Sequence, residues 1–122
     1  MKFFININQA ELTKLAPDAT IVDGAILDYI YWVCNTTSAG IEKSRITFDN
    51  QRYTWINYDW LIKEMPLLKG KSKGSLTPIF RRLEEWGFIK TYGVNGGKKY
   101  VAPGDKLDLL HVDKPVGKYS TV

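Results

Sequence analysis

The residue order predicts an α+β protein, a small helical bundle packed with a short antiparallel sheet. Three observations carry this. A long amphipathic helix comes early, in "TIVDGAILDYIYWVC" from Thr20 to Cys34. Two later stretches, "ITFDNQRYTWIN" and "FIKTYGVNGGKKYVA", are rich in strand-forming residues and each is broken by turn residues. No strand–helix–strand crossover repeats along the chain, which argues against a doubly wound α/β fold. The 122 residues suit one core, and an apolar fraction of 44% with 13% aromatics argues against disorder.

The elements follow in order. "FFININ", residues 3–8, alternates loosely and reads as a strand. "QAELTKLA", residues 9–16, is a short helix ended near Pro17. In the long helix, Thr20 and Asp23 have the spacing of a capping box. Val22, Ala25, Ile26, Tyr29, Ile30 and Val33 share one face, which Leu27, Tyr31 and Cys34 widen, so this helix should be central. "NTTSAG" reads as loop. Asp49-Asn50 is a turn between two short strands, and Asn57 caps a helix from Tyr58 to about Glu64, which Pro66 stops.

"SLTPIFRRLEEWGFIKTY", from Ser75, starts as a helix and ends as a strand. At 100° per residue, Ile79, Phe80 and Leu83 stay within about 60° of Leu76 and form its buried face. Gly74, Pro78, Arg81 and Glu85 fall opposite, flanked by Thr77 and Arg82. Ser72 and Ser75 are both candidate N-caps: Pro78 favours the later start, and a start at Ser72 should bend the helix. Gly87 supplies a left-handed end. Asn95-Gly96 then suggests a type I′ turn in a hairpin, with strand 53–56 beside it in a three-stranded sheet. "KLDLLHV" is apolar enough to pack on the domain, and "DKPVGKYSTV" reads as a tail. The domain is therefore placed at 1–104, with an extension at 105–122.

Charge is one-sided. From Lys69 to Lys99 eight basic residues face only Glu84 and Glu85, a net of +6 in a chain of +4. Such a field suits a polyanion. The apolar runs are too short to span a membrane, and the N-terminus lacks a signal-peptide core. The single cysteine, Cys34, permits no internal disulfide and reads as a reduced core residue, which fits a cytoplasmic protein. His111 is the only histidine, and no Cys/His metal spacing, phosphate loop or paired carboxylate motif appears. Neither enzyme chemistry nor a cofactor or metal is expected.

The stretch from Tyr53 to Val101 resembles a winged-helix (winged helix-turn-helix) DNA-binding domain. "YTWINYDWLIKEMPLL" looks like its first sheet strand and second helix, and "KSKGSLTPIFRRLEEWGFIK" like its recognition helix. The helix ends as such helices do, on Leu83, Glu84, Glu85, Trp86, Gly87, Phe88 and Ile89, and "TYGVNGGKKYV" would be the wing. The whole helix-turn-helix region is also similar to that of phage or mobile-element replication and regulatory proteins. The resemblance implies a three-helix bundle with a β-hairpin wing. It further implies binding of double-stranded DNA, sequence-specific or general, in transcription regulation or replication initiation. A recognition helix at about 72–86 and a wing at 88–102 would carry that binding.

On this reading Arg81 and Thr77 lie near base edges, since arginine pairs bidentately with guanine. Lys69, Lys71, Ser72, Lys73, Ser75 and Arg82 lie on or near phosphate. Asn95, Lys98 and Lys99 belong to the wing. The basic approach and acidic end of the helix oppose its dipole. Contact with DNA through the N-terminal part would account for that. Trp55, Tyr58, Trp60, Trp86 and Tyr92 are expected in the core, the other reading being a base-stacking platform for single strands. The alternative function is a winged-helix module that docks on a protein partner without DNA. A homodimer would use the terminal segments 3–8 and 107–112.

Overall fold

The computed structural model describes residues 5–36, 39–65, 68, 73–93 and 99–110. It is a mixed helix-and-sheet protein with helices α1 (Gln9–Leu15), α2 (Ile21–Asn35), α3 (Ala39–Glu42), α4 (Tyr58–Glu64) and α5 (Lys73–Glu85). Strands β1 (Arg45–Phe48), β2 (Gln51–Ile56), β3 (Ile89–Gly93) and β4 (Lys99–Pro103) form one antiparallel sheet in the order β1-β2-β4-β3.

The capping box of α2 forms as expected. The Thr20 N–H donates to Asp23 Oδ2 at 2.8 Å, and the Asp23 N–H donates to Thr20 Oγ1 at 3.2 Å. Ala25, Ile26, Leu27, Tyr29, Ile30 and Val33 are buried, so α2 is the central helix. At its other end the nearly buried Arg45 acts as a cap from β1. Its guanidinium donates to the carbonyls of Val33 at 2.7 Å and Thr36 at 2.8 Å, to Thr54 Oγ1 at 3.1 Å, and pairs with Glu42. A cation on orphan carbonyls is what a helix C-terminus favours.

The β1–β2 hairpin closes on Asp49 and Asn50, both at positive φ (53° and 63°), with Phe48 paired to Gln51. Asp and Asn tolerate this conformation best among non-glycine residues. The expected three-stranded sheet is therefore four-stranded. The first arm of this hairpin adds β1 at the edge, and β2 pairs with β4 through Thr54–Val101, Trp55–Tyr100 and Ile56–Lys99. Asn57 caps α4, its Oδ1 accepting from the Asp59 and Trp60 amides.

Three other expectations change. Residues 5–8 form no strand: Asn8 instead caps α1, accepting from the Glu11 N–H at 3.0 Å, and its own N–H donates once to Leu110. The segment read as loop holds the short helix α3. The core continues past Gly104, because Leu107 and Leu110 in a 3-10 turn (Leu107–Leu110) are fully buried. A boundary after Gly104 cuts through packed residues.

The start of α5 favours the earlier alternative, since Lys73 is its first residue and Pro78 lies inside the helix. Proline withholds an N–H and crowds the preceding turn, at a cost of about 3 kcal/mol. Burying Leu76, Ile79, Phe80 and Leu83 returns more, at about 1.5–3 kcal/mol per side chain. Packing therefore outweighs the local penalty. The helix ends as expected: Gly87 has φ 87°, its N–H donates to Glu84 at 3.0 Å, and the Phe88 N–H donates to Leu83 at 3.1 Å. This double closure is a Schellman motif, sealed by the apolar pair Leu83 and Phe88.

Candidate nucleic-acid interface

Helix α5 is held by its apolar face. Leu76 and Leu83 are fully buried, Phe80 meets Tyr58 of α4 at 5.1 Å between ring centroids, and Ile79 closes the stripe. The opposite face leaves Gly74, Thr77, Pro78, Arg81 and Glu85 exposed and Ser75 half-buried. The helical-wheel expectation for this element thus holds for these residues, and Arg82 is the exception.

Two charged residues of α5 have duties inside the fold. Arg82, expected on phosphate, pairs with Asp23, whose carboxylate is fully buried. Its guanidinium carbon also lies 5.5 Å from the Trp86 ring centroid. The same Asp23 caps α2 through its other oxygen, so one carboxylate joins the start of α2 to the third turn of α5. Glu84 accepts from the Thr91 N–H at 3.3 Å and from its hydroxyl at 2.9 Å, which ties the end of α5 to β3. That hydrogen bonding is a structural reason for an acid at the end of this helix.

Thr77 is exposed beside Tyr58. Burial raises the Tyr58 hydroxyl pKa, and a hydrogen bond with the Thr77 side chain lowers it in part. Lys99 is half-buried at the start of β4, paired with Ile56 on one side and Gly93 on the other. Lys90, counted in the basic segment and not in the contact set, is exposed on β3. Lys69, Lys71, Ser72, Asn95 and Lys98 lie outside the described residues, as does the Asn95-Gly96 turn.

The aromatic set splits: Tyr58 and Trp86 pack against the main core as expected, and Trp55, Trp60 and Tyr92 do not join it. Trp55, Tyr58, Trp86 and Tyr92 are half-buried, and Trp60 is 37% exposed. Alternation places Tyr53 and Trp55 on the sheet face opposite Thr54 and Ile56, and only the latter pair faces the main core. On the second face Tyr92 stacks on Phe48 at 4.5 Å and meets Tyr53 at 5.8 Å. Sequence reasoning overlooked Trp32, which is 38% exposed on α2. The signal was available, since Trp32, like Ile21 at the start of that helix, is a large apolar side chain left off its buried face.

Among the described residues no helix is long and apolar enough to cross a membrane, and no group of three metal-ligating side chains occurs. No protein-family model matches this chain, and no curated protein or solved structure is significantly similar to it. The chemistry of the exposed faces is what remains to indicate function.

Proposed function

We propose that the chain is a winged-helix protein that binds double-stranded DNA, with α5 as the recognition helix and the β3–β4 hairpin as the wing. One observation carries this reading: Thr77 and Arg81, one turn apart, stand exposed on a helix whose other face is anchored in the core. From Lys73 to Leu83 that helix contains no acidic residue. The placement of β2 beside the hairpin and the abrupt Gly87 exit into β3 support it.

In this reading Arg81 and Thr77 reach base edges, and Ser75 and the lysines at 69, 71 and 73 reach phosphate. Lys98 and Lys99 follow the backbone from the wing, with Asn95 at its tip. Arg82 is removed from the contact set, since moving it to phosphate would abandon the buried Asp23. The biological setting that fits is transcription regulation or replication initiation in a phage or mobile element, in the cytoplasm.

Fluorescence anisotropy with random duplex DNA across a salt series tests the proposal. Binding should weaken steeply with salt, as counterion release requires. Arg81→Ala should lose affinity, and if Arg81 reads guanine the loss on a preferred sequence should be about 1–3 kcal/mol. No duplex binding at low salt would overturn the reading in favour of a module that docks on a protein.

A further inference from the structure

A second site has different chemistry. Trp32 at the end of α2, Ile41 of α3, Trp55 of β2 and Trp60 in the first turn of α4 line an open cavity of about 440 Å³. More than a third of Trp32 and Trp60 remains in water, although burying apolar surface of that size would be favourable. Both are set by the buried Tyr29, whose ring lies 6.0 Å from Trp32 and 6.1 Å from Trp60. A neighbouring cavity continues the surface from Trp55 to its cross-strand partner Tyr100, and Lys43 lines it.

We propose that this groove binds single-stranded DNA, with unpaired bases stacked on Trp60, Trp55 and Tyr100 and backbone phosphate held at Lys43. Planar rings select a flat apolar ligand. A lysine with no carboxylate among the described lining residues selects an anionic one. A nucleotide strand joins both properties, and this pairing of stacking rings with positive charge is how proteins hold single strands. Two polar groups of the lining are already engaged: the Ser44 hydroxyl donates to Ile41 at 2.7 Å, and Asn57 Oδ1 caps α4. Recognition therefore rests on stacking and charge, tolerates any sequence, and has no group set aside for a 2′-hydroxyl. The site goes beyond the duplex reading and does not depend on it.

Three of the four tryptophans line the groove, so intrinsic fluorescence reports on it. In a Trp86→Phe background the full chain is titrated with oligothymidylate of about 16 nucleotides. Saturable quenching that weakens with salt is expected. Trp60→Ala should weaken binding by about tenfold or more, the loss of one stacked base, while Trp60→Phe retains most of it. Lys43→Ala should lower the salt slope by about 0.7, and Arg81→Ala should change nothing. A hairpin duplex should give the converse, with loss in Arg81→Ala and none in Trp60→Ala. Absent quenching, or equal affinity in Trp60→Ala, overturns the single-strand site whether or not the duplex binds. Tighter binding of oligouridylate overturns the commitment to DNA.

Discussion

Asp23 shows how much one buried side chain can decide. One oxygen caps α2 and the other holds Arg82, so the carboxylate sets both where α2 starts and how α5 is turned against it. Losing the cap costs about 0.5–2 kcal/mol. Losing one partner of a buried ion pair costs about 3–5 kcal/mol, reduced here because Arg82 is 36% exposed and water screens it. Asp23→Ala should therefore destabilise by about 2–4 kcal/mol and Arg82→Ala by about 1–3 kcal/mol. In urea unfolding the double variant should lose clearly less than the two together, since either change already breaks the pair. Additive losses would mean the pair contributes nothing. In duplex titrations Arg82→Ala should keep the salt slope of the native chain, whereas losing a phosphate contact would lower it by about one.

At the scale of elements, the passage from α5 to β3 is the tightest joint. Gly87 adopts φ 87°, a region that costs a residue with a Cβ about 1–2 kcal/mol. Gly104 has a different constraint. A Cβ there would lie 2.5 Å from the Gly87 carbonyl oxygen and 2.8 Å from the Phe88 carbonyl carbon, both rigid backbone. Its N–H also donates to the Phe88 carbonyl at 2.8 Å, so the strand end cannot retreat without losing that bond. Thermal unfolding should place Gly104→Ala below Gly87→Ala, the former losing about 2–3 kcal/mol as an overpacked site. The reverse ranking would mean that φ, and not the close approach, is the stricter demand. The same joint carries the Glu84–Thr91 contacts, so loosening it should shift the wing relative to α5.

At the scale of the whole molecule, burial sets a pH limit. Burial pushes the Cys34 thiol from 9.0 up to about 11, against the Thr54 hydrogen bond and the charges of Arg45 and Arg52. Tyr29 is raised in the same sense, first by burial and then by Glu64. Above its ordinary range the unfolded thiol releases a proton that the folded one keeps. Stability is therefore intact below about pH 9 and falls as pH rises toward about 11. Urea midpoints should decline across that window, and Cys34→Ala should flatten the decline up to the range where tyrosine takes over. An unchanged slope in Cys34→Ala would remove the thiol from this account.

Local signals settled much of this protein. The capping box at Thr20, the turn at Asp49-Asn50, the cap at Asn57, the buried stripe of α5 and the glycine at 87 each depend on residues within one or two turns of one another. Periodicity and backbone chemistry suffice for such features. The exposed face of α5, with Thr77 and Arg81, was legible for the same reason. What only the tertiary structure decided depends on distant partners. Arg82 has the same charge as Arg81 and sits one position away, yet a carboxylate 59 residues earlier draws it inward. The burial of Leu107 and Leu110 and the Trp32–Trp55–Trp60 groove arise where separate segments meet. An aromatic residue carries no local mark of whether a neighbour will cover it, because burial is a property of the assembled surface and not of the stretch that contains it.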